Sequence, residues 1–149
     1  MILDERNEFA DAAAIALNVG NAIAPNTDVI DLGATPTLRG TGVGEPMYLV
    51  LQVDTAFVGA TATIQFQLVS DSTADLNTSR TVHIDTGAIG VATWAAGYTR
   101  VFALPQDFNY ERYLGLWMTV ATANVTAGKL NAFLATDVAR WIAYPDAVN

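Results

Sequence analysis

From residue 46 onward the hydrophobic positions recur every second residue, the period of an extended strand with one face in a core. In MYLVLQVDT, Leu49, Leu51 and Val53 alternate with Val50, Gln52 and Asp54, and in ATATIQFQLVS, Ile64, Phe66 and Leu68 alternate with Thr63, Gln65 and Gln67. Both stretches predict half-buried strands. The same pattern predicts strands over 79–85, 89–94, 98–104, 112–123 and 128–138, with a short edge strand at 29–32 and another at 15–19. Gly and Pro mark the joints, at GVGEP before residue 47, TGAIG at 86–90 and Pro105. Turns spaced by about 8 to 12 residues are typical of all-β sandwiches. Eight or nine strands without a long helical period predict a jelly-roll-type antiparallel β-sandwich of about eight strands with an N-terminal arm.

The chain is read as one domain: 1–27 an N-terminal arm and first connection, 28–138 the sandwich, 139–149 a C-terminal tail. The arm's conformation is left open. Asp4, Glu8 and Asp11 would repel one another on a single helical face, whereas the Ala-rich run at 10–16 favours a helix.

One predicted strand does not alternate between apolar and polar. In NYERYLGLWMTV, Leu114, Leu116, Met118 and Val120 form a core row, but Tyr113, Gly115, Trp117 and Thr119 stand on the other side. This strand is expected to pair with 128–138, and core rows at even numbers on both set an odd-length turn around NVTAG. A register summing to 250 then places Trp117 opposite Phe133 on the outward face. Tyr113, Trp117 and Phe133 would form an apolar patch of the kind that marks association between copies, unless a loop or the arm of the same chain covers it.

Net charge is −8, and six arginines (Arg6, Arg39, Arg80, Arg100, Arg112, Arg140) are scattered singly. No basic patch gathers to neutralise phosphates, so nucleic acid is not an expected partner, and the acidity disfavours an anionic membrane. Charged residues are only 15 per cent of the chain, which hints at surface shared with neighbours. Cysteine is absent, excluding disulfides and thiolate metal sites. Asp4, Glu5, Glu8 and Asp11 stand where a secretory signal needs cations and an apolar run, so synthesis and retention in the cytoplasm are expected. No run of eighteen apolar residues predicts a membrane span.

The chemistry-bearing residues make no case for an enzyme. His83 is the only histidine, and alternation places it on the solvent side of a strand with Thr81 and Asp85. No G-x-S-x-G turn accompanies it. GTGVGE (40–45) has the wrong spacing for a phosphate loop and precedes a strand. Asp71, Thr73 and Asp75 have calcium-loop spacing but lack the glycine at position six and the glutamate at position twelve. The sequons at Asn77 and Asn124 bear only on a secreted chain. Glu111 and Arg112 read as an ion pair or polar rim. No cofactor or metal is expected.

The stretches MILDERNEF, VIDLG (29–33), GEPMYLVLQVDTAF (44–57), SDSTADL (70–76), TGAIGVATWAAGYTRVFALP (86–105), NYERYLGLWMTV and DVARWIAYPD (137–146) together resemble the jelly-roll capsid cement, or decoration, proteins of tailed bacteriophages. The resemblance implies a non-enzymatic virion protein on the outer surface of the capsid that bridges subunits of the major capsid protein. It also implies self-association, commonly as a homodimer with a trimer as the alternative. Tyr113, Trp117 and Phe133 are the expected contacts between copies, and Ile2, Leu3 and Phe9 the expected contacts of an arm with the shell. The rival reading is a carbohydrate-binding jelly roll for host attachment, using Trp94, Trp141 or Tyr144.

Overall fold

The computed structural model describes residues 5–20, 22–23, 28–35, 45–105 and 109–138. Among these, β1 (Glu8–Ala14), β4 (Tyr48–Val58), β8 (Thr99–Ala103) and β10 (Ala127–Ala135) form one antiparallel sheet in the order β1-β10-β4-β8. The second sheet contains β2 (Ala22–Ile23), β3 (Ile30–Asp31), β5 (Thr63–Asp71), β6 (Thr81–Asp85), β7 (Ile89–Gly90) and β9 (Tyr113–Ala121), in the order β2-β9-β5-β6. β2 and β3 share one flank of β9, at Thr119 and Leu114 respectively. β6 and β7 likewise share one flank of β5. Each sheet is therefore four strands wide, and the chain passes back and forth between them as in a jelly roll.

The inward rows are those the alternation predicts. Leu49, Leu51 and Val53 of β4 and Leu130, Ala132 and Leu134 of β10 form one wall of the core. Ile64, Phe66 and Leu68 of β5 and Leu114, Leu116, Met118 and Val120 of β9 form the other. Trp94 sits at the centre of an aromatic group, its ring edge-on to Phe66 at 5.0 Å, Tyr98 at 5.5 Å and Phe57 at 6.5 Å between centroids. It reaches that place because the predicted strand at 89–94 stops after Gly90 and tightens into a 3-10 turn, Val91–Thr93.

The structure decides one point that the sequence pattern leaves open and departs from that pattern at two others. The N-terminal segment is a strand from Glu8, and Phe9, Ala10 and Ala13 are buried in the core. Its pairing with β10 shifts register twice, and Ala12 adopts φ 43° with its N–H donating to Asn131 Oδ1. Such a bulged edge resists pairing with foreign strands. Second, β9 and β10 are not neighbours: β9 pairs with β5, and β10 with β4 and β1. Residues 122–126 cross from one sheet to the other, with Thr122 at φ 72°. Two even-numbered core rows are equally satisfied by strands facing each other across the sandwich. Third, β6 is bulged: Leu68 pairs with Ile84 but Val69 with Val82. The extra residue is His83, which the bulge turns away from solvent.

Candidate functional site

The unusual second face of β9 is covered from within the chain. Leu76 is fully buried and packs with Val69 and Trp117, with Val29 and Tyr113 against this cluster. Gly115 lies beneath it, and a Cβ at that position would collide with Leu76 Cδ1. The glycine thus opens a slot on the strand that the leucine fills. Arg80 completes the cover, its guanidinium carbon 3.9 Å from the Trp117 ring centroid and its Nη1 donating to Leu76 O at 3.0 Å. Trp117 is left 6 per cent exposed.

Asp71, at the end of β5, holds this covering loop in shape. Its Oδ2 accepts the N–H groups of Thr78 and Ser79 at 2.9 and 3.0 Å, and its Oδ1 accepts from Thr73 N and Ser72 Oγ, each at 3.2 Å. The carboxylate suspected of calcium-loop geometry is therefore engaged by its own loop. Among the described residues no three His, Cys, Asp or Glu side chains are grouped to hold a metal ion.

Beside the loop lies a second polar group. Ser70 is fully buried; its Oγ is 2.7 Å from His83 Nε2 and accepts the Glu111 N–H at 3.1 Å. The His83 ring also packs on Tyr110 at 4.5 Å between centroids. Burial pushes the imidazole below its ordinary pKa, opposed by the charge of Glu111. The arrangement superficially resembles a hydroxyl–imidazole–carboxylate relay, but Glu111 directs its oxygens to Ser79 and Thr81, and the serine is sealed from solvent. It acts as a clasp between β5, β6 and the segment entering β9. Arg112 does not pair with Glu111 as expected; it forms a two-point contact with Asp31, Nε to Oδ1 at 3.0 Å and Nη2 to Oδ2 at 2.8 Å. That exposed pair fastens β3 to the start of β9, where solvent screens most of its attraction.

The expected association residues are thus dispersed. Trp117 lies under Arg80 on the outer face of one sheet. Phe133 is on the other sheet, opposite Val50 and 1 per cent exposed, in a small cluster with Val50 and Ala135. The two do not form an outward pair, because their strands belong to different sheets. Tyr113 remains half-buried, with the Arg112 guanidinium carbon 4.9 Å from its ring centroid. Of the expected arm residues, Phe9 is a core residue and unavailable as a surface contact, and Ile2 and Leu3 lie outside the described residues. So do Trp141, Tyr144 and most of the GTGVGE turn. Trp94 is fully buried and offers no stacking platform for a sugar.

If Leu76 in its slot keeps the loop down, Gly115→Val should displace it. The expected cost is about 1 to 3 kcal/mol from overpacking, accompanied by faster tryptic cleavage after Arg80. Unchanged cleavage with an unchanged melting temperature would show that the loop holds without Leu76.

Fold and site together define an all-β jelly-roll sandwich whose unusual polar and aromatic residues bind its own loops into place. The chain matches the Bbp16 family over residues 9–134 of its 149 and belongs to that family, whose name is phage-associated. It is accordingly a phage-related structural protein. No curated protein matches the chain.

Proposed function

We propose that this protein is a capsid cement protein: it binds the outer surface of a bacteriophage head and stabilises contacts between subunits of the major capsid protein. The observation that carries the reading is membership of a phage-associated family over nearly the whole sandwich. The net charge of −8 supports it, since an acidic chain is disfavoured beside packaged DNA and tolerated outside the shell. Many copies on one lattice let modest contacts add up through multivalency.

Mass spectrometry of purified virions should find the protein at a fixed, high ratio to the major capsid protein, and capsids stripped of it should fail at lower temperature. A sparse copy number, or stripped capsids as heat-resistant as intact ones, would refute the cement role. Sparse copies together with glycan binding by the isolated chain would favour host attachment instead.

A further inference from the structure

The outward row of β9 carries three covers in succession. Arg112 lies over Tyr113, Leu76 fills the slot at Gly115, and Arg80 lies over Trp117. The two arginines use their forks differently. Arg112 donates from Nε and Nη2 to the two oxygens of Asp31, the two-point geometry in which a guanidinium holds a carboxylate most firmly. Arg80 donates from Nη1 to Leu76 O at 3.0 Å, and no carboxylate among the described residues lies within ion-pair distance of it.

The acidic side chains nearby are turned to other donors. Asp71 accepts the N–H groups of Thr78 and Ser79. Asp75 Oδ1 accepts from Thr73 Oγ1 at 2.6 Å and from Asn77 N at 3.3 Å, and Glu111 accepts from the Ser79 and Thr81 hydroxyls. Beneath the guanidinium a second donor lacks an acceptor: Trp117 Nε1 is buried with no hydrogen-bond partner. A buried N–H left unpaired carries a penalty and calls for an explanation. One stacked pair thus presents only donors, in a chain whose 15 acidic residues outnumber its 7 basic ones.

The loop also fixes the guanidinium in place. Leu76 holds φ 54°, a left-handed conformation rare for a bulky side chain, and its seat on Gly115 and the Arg80 bond to its carbonyl oxygen keep it there. An arginine held flat on a ring has already given up much of its rotamer freedom, so less is lost when its fork closes on a ligand.

We propose that Arg80, stacked on Trp117, binds a carboxylate of a partner protein: an aspartate or glutamate side chain on a segment of the major capsid protein laid across the outer face of β9. Arg112 with Asp31 is the same arrangement completed within the chain, whereas Arg80 stays partly exposed with its fork turned to no carboxylate. A single acidic group fits better than a broadly anionic surface, because Asp75 and Glu111 beside the loop repel extended negative charge. An acceptor brought to the guanidinium also arrives beside the indole. The choice of partner rests on the cement reading; the carboxylate site does not.

Proton–nitrogen spectra of the full chain, titrated with sodium acetate and separately with sodium chloride to equal ionic strength, test the site. The Arg80 Nε–H and Trp117 indole signals, assigned with Arg80→Lys and Trp117→Phe, should move saturably with acetate alone. Arg100, over Phe102 on β8, should not respond. Equal shifts with both salts, or a response at Arg100 as large as at Arg80, overturn the proposal. Binding to capsids stripped of this protein tests the partner. Arg80→Gln should weaken it by about tenfold or more, the effect of losing one charge-assisted bond, and Arg100→Gln should not. Arg80→Lys keeps a charge and a stem over the ring but not the fork, so its smaller loss reports carboxylate recognition and not a loosened loop. Capsid binding indifferent to both Arg80 substitutions overturns the proposal. A wild type that takes acetate at Arg80 but ignores capsids refutes the cement reading and leaves the carboxylate site standing.

Discussion

Replacing Trp94 with alanine should cost about 3 to 5 kcal/mol of unfolding free energy, read from urea denaturation with the slope unchanged. The indole is fully buried and touches Phe57 of β4, Phe66 of β5 and Tyr98 at the entry to β8. It therefore joins both sheets to the connection between them, and an alanine leaves a void bounded by three rings that cannot collapse together. Trp94→Phe should lose much less, because it keeps an edge-on ring and removes an indole N–H that has no hydrogen-bond partner. A buried unpaired donor carries a desolvation penalty, so its removal offsets part of the lost volume. If Trp94→Phe proved as damaging as Trp94→Ala, the stability of this end would depend on the indole's shape and not on ring contact.

The role of Trp94 was only partly legible in the sequence. IGVATW reads as a strand because Ile89, Val91 and Trp94 are β-formers, and the stretch does begin as one. The 3-10 turn at Val91–Thr93 is a tertiary decision: it swings the indole inward, and propensity cannot see that benefit. Where strict alternation covered a whole strand, as in β4 and β5, the inward rows were read correctly, since a one-residue slip would send every apolar side chain to the wrong face.

Which strands are neighbours does not follow from the parity of their apolar positions. Parity constrains which side chains turn inward, and strands paired in one sheet or facing across the core satisfy it equally. The outward row of β9 was correctly seen as needing a cover, but Leu76 looked like a loop residue and Arg80 like an isolated charge. Their seats on Gly115 and Trp117 exist only once the 71–80 loop is folded. A signal was present at Asp71, followed by Ser-Thr, the composition of a carboxylate that captures its own backbone. A period-two count sends His83 to solvent, and one extra residue in β6, invisible to that count, reverses its side.

Acid should weaken this fold in two separable steps, and the lower one belongs to Asp71. Burial alone would raise its pKa, but the N–H groups of Ser79, Thr73 and Thr78 and the Ser72 hydroxyl outweigh burial and hold it at about 2, below the ordinary 3.8. A folded-state value below the unfolded one means a stabilisation that is complete above pH 3.8 and lost as pH falls toward 2. At 1.36 kcal/mol per unit the effect is about 2 kcal/mol. The upper step belongs to His83: with its folded-state pKa lowered by burial, the native state takes up its proton less readily than the unfolded chain. Its contribution is present above pH 6.5 and declines as pH drops through that value. Asp71→Asn should therefore cost about 2 to 3 kcal/mol at neutral pH, since the amide turns donors of its own toward the loop's N–H groups, and should flatten the loss between pH 4 and 2. His83→Gln should remove only the decline below 6.5. Urea titrations of both variants across that range separate the steps. If the gap between Asp71→Asn and wild type stayed constant down to pH 2, the carboxylate's charge would not be what holds the loop. Leu76 and Arg80 would then remain over Trp117 by packing alone.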